Sequence, residues 1–291
     1  MRSSNPVFSR RGFSRDNGYA NFNAQQQAGG PAAGTNPYAT NPYATNPYAQ
    51  DAMVGAPAQA PARTGAMTID DVVSRTAITL GTVFVTATLA WFLLPVDAAN
   101  IGMSYGIAIG AALIALVCAL VQSFKSRPTP ALILAYAAFE GVFLGVISNA
   151  VATHVSTAAV PQAVLGTMSV FAGVLIAYKM RWIRVTRRFY GFVMAAAIGF
   201  VLLMAVNMLF AVFGGGDGLG FRSGGLGIVF GIIGIILGAC FLALDFKQVE
   251  DGITYGAPRE ESWLAAFGLT MTLVWIYLEF LRLIQILSGD D

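Results

Sequence analysis

Charged side chains are scarce in this sequence. Asp, Glu, Lys and Arg make up only 11% of its 291 residues, whereas soluble domains carry roughly a quarter. Hydrophobic residues make up 56% of the chain. This composition excludes an ordinary soluble domain and predicts an integral membrane protein, for which the lipid bilayer is the first partner.

Histidine and cysteine are nearly absent as well. The chain has one histidine, His154, and two cysteines, Cys118 and Cys240, which lie within apolar runs. Such spacing excludes a zinc cluster and predicts buried thiols rather than a disulfide framework. Because one histidine in a predicted outer loop cannot complete a buried Ser–His pair, we predict that the chain is not an enzyme and needs no cofactor. The basic residues form no stripe, so no nucleic acid partner is expected.

The first 72 residues differ in composition from the rest. They contain the repeat TNPYATNPYATNPYA, surrounded by Gln, Gly, Ala and Pro. Repeated Asn-Pro steps disfavour helices, and too little aliphatic surface is present to offset the entropy of ordering. The sequence therefore predicts a disordered tail over 1–72 and a membrane domain over 73–291.

Long apolar runs fill the predicted membrane domain. Each is long enough to cross a bilayer, which takes roughly 20 residues of helix. The predicted spans are Thr76–Pro95, Ile101–Gln122, Ala131–Ala152, Val160–Tyr178, Phe189–Phe213, Gly224–Leu244 and Trp263–Leu287. We therefore predict an all-α polytopic membrane protein with seven transmembrane helices.

Basic residues alternate between the connecting segments. They occur in the tail and in Ser123–Pro130, Lys179–Arg188 and Asp245–Ser262, whereas the other three loops carry only Arg222. Positive charge is retained on the cytoplasmic side of membranes. This alternation predicts a cytoplasmic N-terminus.

Four ionisable residues lie within or at the edge of the spans, where charge is costly. Glu140 is either a protonated, hydrogen-bonded acid inside the bundle or a ligand for an ion or proton. Glu279 and Arg282 are three residues apart on one helix, so they either neutralise each other or take part in transport. Asp245 is either the cytoplasmic end of its span or part of a site.

Two stretches resemble the transmembrane Bax inhibitor family. They are ALDFKQ, with Asp245 and Gln248, and IYLEFLRLIQIL, in which Glu279 takes the place of the usual Asp. The stretch GITYGAPREESW is similar to a bacterial branch, which implies a bacterial plasma membrane location. The resemblance also implies a seven-helix fold whose last helix is central in the bundle.

The resemblance implies a function for the acids. Asp245 and Glu279 would form a buried carboxylate pair that titrates as a unit, senses pH and governs a calcium leak. Their ionised oxygens would be the calcium ligands, with calcium as the permeant or bound ion. Glu140 is the candidate third carboxylate, and Arg282 is the candidate gating counter-charge.

The spacing of the two acids affects this expectation. Asp245 and Glu279 are farther apart in sequence than the family pattern implies. We predict that the last span begins near Gly268, which brings the acids to similar depths. Residues 257–267 would then lie along the membrane surface.

The sequence is also compatible with two other functions. One is a non-conducting regulator of membrane proteins, such as a membrane protease, which the tail would contact. The other is a proton-coupled exporter of small solutes that uses the same acids.

Overall fold

The part of the chain that the structure describes is helical. A computed structural model describes residues 65–214, 218–221 and 223–289. Its helices are α1 (Ile69–Leu93), α2 (Ile101–Phe124), α3 (Pro130–His154), α4 (Ala159–Lys179), α5 (Arg187–Gly214), α6 (Gly224–Thr254) and α7 (Glu261–Leu287). All seven are long and apolar enough to cross a membrane. The prediction of a seven-helix membrane protein is confirmed.

Helix α7 is the central element of this bundle. In its most apolar stretch 56% of the residues are buried, against 17% in α1 and in α5. It packs directly against α1, α3, α4 and α6. The ring of Trp275 reaches Phe200 of α5, with centroids 5.6 Å apart. The predicted central position of the last helix is confirmed.

Helix α6 extends beyond the predicted span. The apolar run ends at Leu244, but the helix continues to Thr254. Lys247 supports this extension through ion pairs with Glu250 at 3.4 Å and Asp251 at 2.9 Å. Pairs three and four residues apart stabilise a helix after its apolar run has ended. Asp245 therefore lies inside the helix, directly after the last residue of the apolar run.

Helix α1 begins earlier than predicted. Its N-cap is Thr68, whose hydroxyl accepts a hydrogen bond from the Asp71 amide, while the Asp71 carboxylate accepts one from the Thr68 amide. This reciprocal arrangement is a capping box. Helix α1 thus begins before residue 73, where the membrane domain was predicted to start. Residues 1–64, with the TNPYA repeats, and Arg222 lie outside the described residues.

The segment before α1 is attached to the turn between α6 and α7. The Met67 amide donates to the Ala257 carbonyl at 2.8 Å, and the Arg259 amide donates to the Gly65 carbonyl at 2.7 Å. The Arg259 guanidinium also pairs with Asp71 at 2.7 Å. These contacts place the start of α1 beside the α6–α7 turn, on one side of the membrane domain.

Glycine permits close contact between α1 and α3. A Cβ atom at Gly141 would overlap the Val83 carbonyl and the Thr86 hydroxyl, and one at Gly145 would overlap Ala87. Small residues four apart let membrane helices approach in this way. The similar pair on α2, Gly106 and Gly110, has open space around it, so the same sequence pattern there does not mark a contact.

Gly141→Ala is expected to destabilise the bundle by about 1–3 kcal/mol, because the added methyl group forces α1 away from α3. The measurement is denaturant unfolding of the purified chain in detergent. Gly106→Ala is the matched control, since nothing lies within 4 Å of that position. A loss of stability in Gly141→Ala no larger than in the control would contradict the packing.

Candidate functional site

Asp245 faces the central helix. Its carboxylate accepts a hydrogen bond from the Thr272 hydroxyl of α7 at 2.7 Å. The carboxylate also lies against Gly268, one turn earlier, where a Cβ atom would be 3.3 Å from it. Glycine at that position leaves room for the acid between the helices. Asp245 is half-buried at the contact between α6 and α7.

Glu279 lies farther along the same contact. Its side chain is only 5% exposed and approaches Gly234 of α6, where a Cβ atom would be 3.0 Å from the carboxyl carbon. The helices run antiparallel, since Gly238 meets Ile276 between these two levels. Gly268 and Glu279 are eleven residues apart on α7, which corresponds to about 16 Å along the axis.

The structure therefore does not bring Asp245 and Glu279 together. A calcium ion bound at about 2.4 Å from its ligands cannot be shared by carboxylates at these two levels. The expectation of a coupled pair at one depth fails because α7 is one continuous helix from Glu261, rather than starting near Gly268. Residues 261–267 belong to that helix, and Phe267 is buried in the bundle.

Glu140 lies level with Asp245 instead. Helices α3 and α7 run in the same direction, because Tyr136 packs on Phe267 with ring centroids 5.1 Å apart, and Ser148 bonds to Tyr277 at 2.6 Å. Glu140 follows Tyr136 by one turn, so it stands opposite the turn after Phe267. That turn of α7 lies between Gly268 and Thr272, the two residues that contact Asp245.

Threonine hydroxyls lie at the same depth. Thr79 of α1 and Thr270 of α7 are fully buried and share a hydrogen bond of 2.9 Å. At the depth of this short section of α7, polar residues thus occur on three other helices that pack against it. We call this set the polar layer, and it consists of Thr79, Glu140, Asp245, Thr270 and Thr272.

Sequence reasoning had found only the two acids of the polar layer. Threonine is common in apolar helices, where its hydroxyl bonds to the preceding turn, as Thr270 does to the Ala266 carbonyl at 2.7 Å. Only the packing of the helices shows that the threonines lie at the same depth in the bundle as Glu140 and Asp245. The sequence feature that could have indicated the polar layer is the pair Thr270 and Thr272, two hydroxyl residues in the most buried span.

Two further expectations concern the side chain of Arg282 and the ligands of a calcium ion. Arg282 is half-buried on α7, one turn beyond Glu279. Its role as a gating counter-charge stays a prediction. Among the described residues no group of three or more His, Cys, Asp or Glu side chains could hold a metal ion together. A carboxylate at either level would therefore need carbonyl, hydroxyl or water oxygens to complete a calcium shell.

Comparison with known protein families covers almost the whole chain. Residues 5–289 match the family model described as Bax inhibitor 1 like. No curated protein matches the sequence. The family match includes both acidic stretches from which the resemblance was inferred. The chain is a seven-helix integral membrane protein that belongs to the Bax inhibitor 1 like family.

Proposed function

We propose that this protein is a pH-sensitive calcium leak whose ion path passes the polar layer around α7. One observation carries the proposal: Glu140 and Asp245 lie at one depth, on two different helices that pack against the central one. An acid within a membrane span costs a few kcal/mol on insertion scales, so acids retained there are typical of ion and proton pathways.

The side chains of the polar layer suit a hard cation. Calcium prefers oxygen ligands and accepts carboxylates, hydroxyls and water in flexible geometry. Two acids near one level supply the negative charge, and the threonines supply neutral oxygens. The layer lacks the number of carboxylates that tight binding needs, which is appropriate for an ion that must also leave.

Glu279 extends the proposed path. It lies about 10–16 Å from the level of Asp245, because Asp245 contacts Thr272 and Gly268, seven and eleven residues before Glu279 on α7. An ion would therefore meet the two carboxylates one after the other. Arg282 follows Glu279 by one turn and is the proposed counter-charge at that second level. In this arrangement Asp245 and Glu279 act at different levels of the path, so the two need not share a proton.

We further propose a bacterial plasma membrane location with a cytoplasmic N-terminus. The start of α1 and the α2–α3, α4–α5 and α6–α7 connections lie on one side of an alternating bundle. With the adjoining helix ends they carry 10 of the 17 Lys and Arg residues, whereas the connections on the other side carry only Arg222. The positive-inside rule places that side in the cytoplasm. The polar layer is then nearer the cytoplasm than Glu279.

The leak is expected to weaken as pH falls, because a protonated carboxylate no longer attracts calcium. The measurement is calcium entry into dye-loaded proteoliposomes from about pH 8 to about pH 5, a range in which carboxylic acids in membranes titrate. Empty vesicles give the background, and an added ionophore gives the maximum. Flux equal to the background at every pH would overturn the proposal.

A second candidate function is regulation of another membrane protein without conduction. The attachment of Gly65 and Met67 to the α6–α7 turn favours it, since these residues, which follow the tail in sequence, lie beside the end of the helix that carries Asp245. A partner bound to the tail would act on that turn. This alternative predicts no calcium flux above the background of empty vesicles.

A further inference from the structure

A groove opens where α4 and α6 end on the proposed cytoplasmic side. Its volume is about 750 Å³, and it is bounded by the last turns of both helices and by the α4–α5 connection. Phe246 and Leu175 form part of an apolar wall, and Lys179, Arg181 and Arg184 lie at its polar edge. The groove therefore combines hydrocarbon surface with positive charge at the end of two membrane helices.

The positive charge in the groove is available to a ligand. Lys247 also lines it, but that ammonium group is already paired with Glu250 and Asp251. The one acid of the lining, Glu250, additionally accepts a hydrogen bond from the Tyr178 hydroxyl.

Three other cationic side chains line the groove. Lys179, Arg181 and Arg184 are exposed, and none of them forms an ion pair with any described residue. They leave the groove with an excess of positive charge.

Arg181 occupies a position that favours glycine. It has φ 60°, and among the described residues it is the one with positive φ that is not glycine. It ends α4 in a Schellman motif, in which the Trp182 amide bonds to the Ala177 carbonyl and the Arg181 amide bonds to the Tyr178 carbonyl, both at 2.9 Å.

Helix α6 ends in the same motif with glycine in the equivalent place. There Gly256 has φ 66°, and the Ala257 amide bonds back to the Gly252 carbonyl at 2.8 Å. An arginine that adopts the left-handed conformation pays a steric cost that glycine avoids. The comparison indicates that the side chain at position 181 has a use beyond ending the helix.

The surroundings identify the kind of ligand. Trp182, beside Arg181, is 72% exposed, and Tyr190 at the start of α5 is 54% exposed. Exposed aromatic rings next to basic residues at helix ends are typical of the membrane–water interface, where headgroups lie. A phosphate with attached acyl chains matches both the charge and the apolar wall, whereas a soluble anion uses only the charge.

We propose that this groove binds the headgroup of an anionic phospholipid of the cytoplasmic leaflet. Lys179, Arg181 and Arg184 contact the phosphate, and the acyl chains lie against Leu175 and Phe246. Clusters of basic residues directly beyond a membrane helix are attracted to anionic lipid in this way. The site is separate from the polar layer and does not depend on whether the protein conducts calcium.

The test is lipid binding by the purified full chain in nonionic detergent, measured by native mass spectrometry. The probes are phosphatidylglycerol, phosphatidylcholine of the same chain length, and inorganic phosphate. The variant Lys179→Gln/Arg181→Gly/Arg184→Gln is expected to bind phosphatidylglycerol at least about ten-fold more weakly than the native chain. The matched control is Arg127→Gln/Arg187→Gln/Arg188→Gln, which removes three exposed cations from the same side, none of which lines the groove. It is expected to lose less than about three-fold.

The single variant Arg181→Gly guards against misfolding, because glycine adopts this backbone conformation freely and only the guanidinium is lost. It is expected to weaken phosphatidylglycerol binding with no decrease in melting temperature. Equal losses in the triple variant and its control would show diffuse surface attraction and overturn the proposal. Phosphatidylcholine binding as strong as phosphatidylglycerol binding, or inorganic phosphate competing as well as the lipid, would overturn it too.

Discussion

Asp245→Asn is expected to lower calcium flux through reconstituted protein at least about ten-fold, which corresponds to about 1.4 kcal/mol on the barrier. The amide retains the shape of the side chain and its ability to accept the Thr272 hydrogen bond, so the helix contact survives. What is lost is the negative charge, in a setting where little water screens it. Reconstituted chains of known orientation and amount, loaded with a calcium dye, provide the measurement.

Glu140→Gln is expected to reduce the flux to a similar extent, because Glu140 lies at the depth of Asp245. Glu260→Gln is the matched control, since Glu260 is exposed before the first turn of α7 and is removed from the proposed path. Native-like flux in the Glu140 and Asp245 variants would remove the polar layer from the ion path. A loss in the Glu260 control as large as in either variant would point to a general effect of charge.

Gly238→Ala is expected to destabilise the protein by about 1–3 kcal/mol through overpacking. A Cβ atom there would lie 2.5 Å from the Cγ1 atom of Ile276, which is fully buried and cannot move aside. This contact also fixes the register of α6 against α7. Because that register separates Asp245 from Glu279, the variant tests the geometry on which the site depends.

A second substitution distinguishes this contact from a general effect of alanine. Ile276→Ala alone is expected to cost about 2–5 kcal/mol, since it leaves a cavity in the core. The double variant Gly238→Ala/Ile276→Ala is expected to cost less than the two single changes together, because the new methyl group enters the space that isoleucine left. Denaturant unfolding in detergent measures all three, with Gly225→Ala, which has open space on the same helix, as the control. Strict additivity would contradict the register.

The helices could be predicted from the sequence because apolar runs determine which segments cross a bilayer. The prediction for α5, Phe189–Phe213, lies within the observed Arg187–Gly214. The end of α6 could not be predicted in the same way. Hydropathy shows where the apolar residues end, at Leu244. The helix continues for ten more residues, and ion pairs of Lys247 stabilise that part.

The acids were found from the sequence, but their partners were not. The position of a residue in a span gives its depth in the membrane only when both ends of the span are known. Helix α7 starts at Glu261 rather than near Gly268, so Glu279 lies deeper than predicted and away from Asp245. The partner of Thr270 is Thr79, 191 residues away, and no local pattern connects them. Helix register is set by side-chain packing such as that of Gly238 on Ile276, which depends on the whole bundle.

The central claim is that Asp245 and Glu279 act at separate levels of one ion path, and a double-mutant cycle on calcium flux tests it most directly. The cycle compares the native chain with Asp245→Asn, Glu279→Gln and the double variant in matched proteoliposomes. Carboxylates about 10–16 Å apart that an ion passes in series raise separate barriers, so the increases in inverse flux caused by the two single variants should add in the double variant. An inverse flux of the double variant no higher than that of the more impaired single variant would show a coupled carboxylate pair, and it would contradict the account.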